Sequence, residues 1–182
     1  LNFNGFFIYV LSAPVFLMTH LGLGETEFGW MFVPGVIGMM SGSALSARLA
    51  GRLSPPRTIR LGYSLMLAAA ALNVAVSFLL PPGLPQSVLP IMAYNFGMAI
   101  AMPSLTLLAL DHFPTHRGLA SSCQSFVQML ISSVTAGLIA PALWGSVGSM
   151  AVGMVVLLLL GLGCFFAWWW LFHRRPPSAG PA

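Results

Sequence analysis

Six neutral polar residues stand at helical spacing inside one long apolar run. Ser121, Ser125, Gln128, Ser132 and Thr135 follow at intervals of 4, 3, 4 and 3 residues, which places them on one face of a helix, and Gln124 lies one turn before Gln128. Their chemistry is hydrogen bonding without charge. Against lipid such groups are costly, so this face must meet protein or water. Two readings follow: a cavity wall that hydrogen-bonds a substrate, or helix packing through small residues. The serines and the threonine suit packing. Gln124 and Gln128 favour the cavity, because a large amide packs poorly at a close helix contact.

Enzyme chemistry finds little support. His112 and His116 are four residues apart, but Pro114 between them disfavours the single helical face that a zinc pair uses, and no HExxH stands here. A G-x-S-x-G nucleophile elbow and a phosphate-cradling P-loop are both absent from the sequence. The chain is therefore expected to be no enzyme, with no catalytic residue, no metal site and no cofactor.

The elements that position the polar face must be membrane spans. The 182 residues are 58% hydrophobic and 5% charged, against about 25% charged in a soluble domain. A span needs about 20 mostly apolar residues to cross the ~30 Å hydrocarbon core. Six segments qualify: Leu1–Thr19, with Pro14 as an expected kink; Phe28–Ala47; Leu61–Leu80; Ser87–Leu110; Gly118–Leu143; and Ser149–Phe172. The fold class is thus an all-α membrane protein, a bundle over residues 1–172, followed by a polar tail, residues 173–182, expected to be disordered and cytoplasmic.

Charge fixes the orientation. There is no lysine, and Arg48, Arg52, Arg57 and Arg60 crowd one connection that also holds Pro55-Pro56, read here as a short loop because prolines break helix interiors. With six spans this loop, Arg117 and the pair Arg174-Arg175 all fall on one side, and Glu25 and Glu27 on the other. Short arginine-bearing loops stay cytoplasmic, so the tail is cytoplasmic too. Trp168-Trp169-Trp170 then sits where interfacial aromatic anchors belong. A formal net charge of +4 spread over three segments makes no nucleic-acid footprint; the partners expected are the lipid bilayer and a small molecule. Cys123 and Cys164 lie inside apolar runs, which argues against a disulfide framework.

Other residues invite packing readings. Gly38-x-x-x-Gly42 allows close helix approach. Gly97 and Pro103 suggest a bent fourth helix. Asn2 and Asn4 read as interfacial, Tyr9 as deeper, and Asn73 as a packing hydrogen bond or a site group. No Asp, Glu, Lys or Arg lies within a span interior, so a proton relay, if the protein has one, needs its titrating group elsewhere. Eleven methionines and thirteen phenylalanines give adaptable apolar surface suited to a promiscuous pocket.

Three stretches resemble a known family: Gly38–Gly62, GMMSGSALSARLAGRLSPPRTIRLG; Tyr94–Ser122, with its FP-containing loop and GLASS entry; and Phe3–Leu17, FNGFFIYVLSAPVFL. Together they resemble the carboxy-terminal six-helix half of a major facilitator superfamily transporter, in particular the drug/proton antiporters of the bicyclomycin and chloramphenicol resistance type. The resemblance implies one half of a twelve-helix fold around a central cavity. It also implies a longer polypeptide whose amino-terminal six-helix half precedes Leu1, and efflux of drugs or other small, mostly apolar compounds, with the proton as coupling ion, at a bacterial inner membrane. Uptake or export of a metabolite, and a non-transporting scaffold or intramembrane enzyme domain, are the alternatives. It implies that the first and fourth helices line the cavity, the second and fifth form its sides, and the third and sixth face lipid. That makes Tyr9, Tyr94, Asn95, Gln124 and Gln128 candidate cavity-lining residues. Arg48 and Arg52 become gate or topology residues, with Ala47 standing where the family's strongest motif has an acid.

Overall fold

The computed structural model describes residues 1–15, 18, 29–81, 83 and 86–173. The segment holding His20, Glu25 and Glu27, and the tail 174–182, lie outside the described residues. In chain order the elements are α1 (Asn2–Leu11), α2 (Gly29–Leu49), α3 (Pro55–Leu79), α4 (Leu89–Leu110), α5 (Arg117–Val134), a π turn (Thr135–Ile139), α6 (Ala140–Ala142) and α7 (Val147–His173). Since α5, the π turn and α6 form one continuous rod, these make six helical runs. Among the described residues four are long and apolar enough to cross a membrane: Pro55–Leu79, Leu89–Leu110, Arg117–Ala142 and Val147–Trp170. α1 is a shorter apolar helix. α2 has 21 residues, enough for roughly 30 Å.

Several boundaries differ from the sequence expectation, each for a local reason. The arginine-rich connection is mostly helix. Arg48 sits in the last turn of α2, where its charge complements the helix dipole. Gly51 then takes the left-handed conformation, φ 79°, that ends a helix without steric cost. Pro55-Pro56 open α3 rather than standing in a loop, because the first helical positions have no intrahelical use for an N–H. Arg57 and Arg60 are accordingly helical. α1 breaks at Ser12, with φ −93°, ψ 7°, and helical geometry resumes at Ala13 and Pro14, turning to π at Val15, so the expected kink falls two residues before Pro14. Pro14 has no N–H to return to Val10, which loosens the turn around it.

The π turn has a similar cause. Pro141 cannot donate back to Gly137, and the Ala140 N–H reaches Thr135 O instead. The Thr135 hydroxyl also bonds Ile131 O at 2.8 Å. α7 starts at Val147, two residues before its expected start, because Ser146 caps it: the Ser149 N–H donates to Ser146 Oγ at 3.0 Å.

α4 is the centre of the bundle, gripped by α2 on one flank and α3 on the other; α3 packs on α7, and α7 on α1. Glycines set both grips. A Cβ at Gly38 or Gly42 would strike the carbonyl oxygens of Met92 and Phe96, so the Gly38-x-x-x-Gly42 pair brings α2 onto α4 as close backbone contact requires. Gly62 of α3 meets Gly97 of α4, where a Cβ on Gly97 would lie 2.9 Å from Gly62 O. Gly97 therefore serves close packing. In lipid there is no hydrophobic force between helices, and such contacts carry the association.

Candidate substrate-binding cavity

The site is built from the helix ends at which α1 begins and α4 finishes. A cavity of about 260 Å³ opens there, walled by α1, α3, α4, α5 and α7. Its polar groups include Asn2, Tyr63, Thr106, Gln124 and Gln128, and Leu1, Phe3, Met102, Leu105, Val127 and Ile131 form most of the rest. Gln124 and Gln128 come to it by helical spacing on α5. The Gln124 amide donates to Thr106 Oγ1 at 3.4 Å, a long bond that ties α5 to α4. Gln128 is exposed, and its side chain reaches the cavity wall one turn further on.

Tyr9, Tyr94 and Asn95 lie elsewhere, closed in by this half's own helices. All three are fully buried. Asn73 Nδ2 donates to the Tyr9 hydroxyl at 2.6 Å, the Tyr94 hydroxyl donates to Asn2 O at 2.8 Å, and Asn95 Nδ2 donates to Gly35 O at 3.4 Å. Each bond crosses between helices: α3 to α1, α4 to α1, and α4 to α2. Buried polar groups demand such partners, and here they pin α1 and α2 around α4. So the structure gathers Gln124 and Gln128 at one wall and leaves Tyr9, Tyr94 and Asn95 as internal braces.

Sequence reasoning missed two asparagines. Asn2 and Asn4, read as interfacial, are both buried. Asn2 Nδ2 donates to the Tyr63 hydroxyl at 2.7 Å, and Asn2 Oδ1 is pressed against Gly161, where a Cβ would collide with it. Asn4 is fully enclosed, and neither Nδ2 nor Oδ1 has a partner among the described residues. The usable signal was position: both precede Gly5 on a helix whose first turns have close neighbours, a Cβ at Gly5 standing 2.7 Å from the Tyr94 hydroxyl. Composition alone gave no sign of it.

α5 itself is loosely held. None of its residues is buried, and Phe126 and Met129 are 69% and 72% exposed. The polar stripe splits along its length: Ser121, Ser125 and Gln128 are exposed, Ser132 is half-buried, and Thr135 at the π turn is buried. At its start, Asp111 and Arg117 pair across the α4–α5 turn at 2.9 Å. Arg48 and Arg52 are exposed, and among the described residues neither has a carboxylate partner. Of the three tryptophans, Trp168 packs edge-on against His112, 5.1 Å between centroids, and Trp170 points outward, 56% exposed.

The sequence profile of the Major Facilitator Superfamily matches residues 1–182, the whole chain. The chain belongs to the Major Facilitator Superfamily. Relatives in this superfamily include the multidrug transporter MdfA of Yersinia pestis, 26% identical over 172 residues, which covers 94% of this chain and 41% of that protein. The multidrug resistance protein MdtM of Escherichia coli O157:H7 is 28% identical over 127 residues, 70% of this chain and 31% of its own length. A multidrug transporter MdfA of Edwardsiella ictaluri is 27% identical over 124 residues, 68% of this chain and 30% of its own. The chain thus spans about two fifths of the length of the Yersinia pestis relative, and less of the other two. No solved structure matches. As a major facilitator chain it is an integral membrane protein, and its helices are one part of a larger bundle's architecture.

Proposed function

We propose that the chain forms the carboxy-terminal half of a bacterial inner-membrane transporter that exports drugs or other small, mostly apolar compounds in exchange for protons. One observation carries this reading: the cavity beside α5 presents neutral hydrogen-bonding groups, Gln124 and Gln128, on an otherwise apolar and methionine-containing wall. Such a surface makes no demand for a charged substrate and adapts to varied apolar shapes. The names of the relatives, multidrug transporters and a multidrug resistance protein, support the same class.

In this reading Gln124 and Gln128 touch substrate, and Tyr9, Tyr94 and Asn95 act as positioning residues that hold the cavity helices in register. The volume of about 260 Å³ lies just under the usual ~300–1,000 Å³ of a ligand pocket, consistent with a wall completed by an amino-terminal half. The arginine-bearing connections and the tail face the cytoplasm, and Arg48 and Arg52 act chiefly as topological anchors. The titrating group of proton exchange belongs to the amino-terminal half, since no acid stands within a span of this chain.

The test is accumulation of a panel of fluorescent lipophilic cations and neutral antibiotics in efflux-deficient cells expressing the full-length protein. Expression lowers accumulation, a protonophore restores it, and Gln124→Leu and Gln128→Leu change it for some compounds and not others. Unchanged accumulation across the panel overturns the efflux reading; a protonophore-insensitive decrease overturns proton coupling alone.

A further inference from the structure

A second groove lies away from the polar face, between the first turns of α3 and the last turns of α7, with a volume of about 310 Å³. From α3 it takes Pro56, Ile59, Arg60 and Tyr63, a spacing of 3, 1 and 3 that defines one helix face. From α7 it takes Leu162, Phe165, Phe166 and Trp169, the same spacing on the facing helix. Ile59 is fully buried and floors the groove, while Phe166 is 60% exposed at its rim. The Tyr63 and Phe165 rings close one end at 6.1 Å. The Tyr63 hydroxyl is turned to Asn2, so the tyrosine offers the groove its ring.

Arg60 is the one charged group on this lining. Arg57, three residues earlier, is its neighbour on the helix surface. Both are exposed, and among the described residues neither has a carboxylate partner, because the single described acid, Asp111, is paired with Arg117. An apolar slot between two helices, headed by a positive pair that has no carboxylate partner among the described residues, matches one kind of molecule.

We propose that this groove docks an anionic phospholipid, one acyl chain lying along the Ile59, Phe165 and Phe166 surface and the phosphate held by Arg60 with Arg57 beside it. The charge complementarity selects an anionic headgroup over a zwitterionic one, and basic pockets between membrane helices are suited to such headgroups. The inference rests on the chain being an integral membrane protein and is independent of what the cavity beside α5 transports. It also separates two roles for the arginines. Arg48 and Arg52 serve orientation alone, whereas Arg57 and Arg60 serve a bound lipid as well.

The test uses the full-length protein in phosphatidylcholine nanodiscs doped with phosphatidylglycerol that carries a diazirine on one acyl chain. After irradiation, label maps to peptides holding Pro56–Tyr63 and Leu162–Trp169. Arg60→Gln lowers that labelling about fivefold, since each arginine near the headgroups contributes roughly that factor, and Arg57→Gln with Arg60→Gln lowers it further. Arg48→Gln with Arg52→Gln removes the same charge from the same connection and leaves labelling unchanged. Leu162→Trp, which fills the slot without touching charge, also abolishes it, and protease mapping checks that each variant keeps its orientation. Equal labelling by diazirine phosphatidylcholine overturns the proposal. So does an equal loss in the Arg48/Arg52 variant, which would mean diffuse surface attraction. So does crosslinking of the groove to residues 174–182 or to a second copy, which would name a different occupant.

Discussion

The contact between Gly62 and Gly97 gives a sharp test of how this half is held together. A Cβ added at Gly62 would stand 2.6 Å from Ala101 Cβ, 2.7 Å from Gly97 O and 2.9 Å from the Ala101 N. Carbon atoms sit comfortably at about 3.5–4.0 Å, so α3 and α4 must part by roughly 1 Å to admit one methyl. Overpacking of this kind costs about 1–3 kcal/mol. Against it runs the intrinsic gain of replacing glycine by alanine in a helix, about 1 kcal/mol. Gly163 isolates that gain, because it lies within α7 and a Cβ there meets nothing within 4 Å. The difference between Gly62→Ala and Gly163→Ala is therefore the packing cost alone, about 1–3 kcal/mol. At about 2–4 °C per kcal/mol for a unit of about 150–250 residues, and roughly half that for a protein of twice the length melting as one unit, Gly62→Ala should melt roughly 1–12 °C below Gly163→Ala. Thermal unfolding of the full-length protein in detergent, followed by size-exclusion chromatography, reads this directly. Equal melting temperatures for the two variants would refute close glycine packing as the force that joins α3 to α4.

Three further outcomes are expected. Asn73→Ala and Tyr9→Phe each lower the melting temperature, and together by less than their sum, because they break one 2.6 Å bond; a double-mutant cycle should return a coupling of about 0.6–2 kcal/mol, and strict additivity would dismiss the bond. Asn4→Leu raises the melting temperature, since an enclosed amide without a partner costs about 1–3 kcal/mol that an apolar side chain does not; a drop on the same assay means Asn4 has a partner in the whole protein. A lone cysteine placed at Ser54, in a protein with Cys123 and Cys164 replaced, reacts with an impermeant maleimide in inverted vesicles and not in intact cells; the reverse pattern contradicts the orientation read from the arginines.

The helices were legible because lipid imposes a simple rule: long apolar runs with polar punctuation. The Gly38-x-x-x-Gly42 contact was legible for the same reason, as a spacing with one physical use. The ends of α2 and α3 were less so. Arg48, Arg57 and Arg60 look like loop residues by charge, yet a charge at a membrane surface is as stable on a helix end as in a loop, and Pro55-Pro56 are as welcome at a first turn as in a turn. The candidate cavity wall was legible on α5, where Gln124 and Gln128 stand out from their neighbours and both line the cavity. It was not legible on α1 and α4. A tyrosine or asparagine in a span reads alike whether it faces a cavity or another helix, and only the partner decides: Asn73 for Tyr9, Asn2 for Tyr94, Gly35 for Asn95.

That uneven distribution of partners carries a mechanical consequence. Where lipid supplies no hydrophobic force between helices, association needs close packing or interhelical hydrogen bonds. α1, α2, α3 and α4 have both, through glycine contacts and buried interhelical hydrogen bonds, and α7 has close glycine contacts with α1. α5 has only the 3.4 Å Gln124–Thr106 bond, the surface pair Asp111–Arg117 and the π turn that leads into α6. Apolar residues left uncovered on α5, such as Phe126 and Met129, are acceptable to lipid. Ser121, Ser125 and Gln128, also uncovered, are not. The direction in which those three point must therefore be filled by protein or water in the whole protein. Among the described helices α5 is therefore the one least held by its neighbours, and its uncovered polar face the one that asks for a further partner.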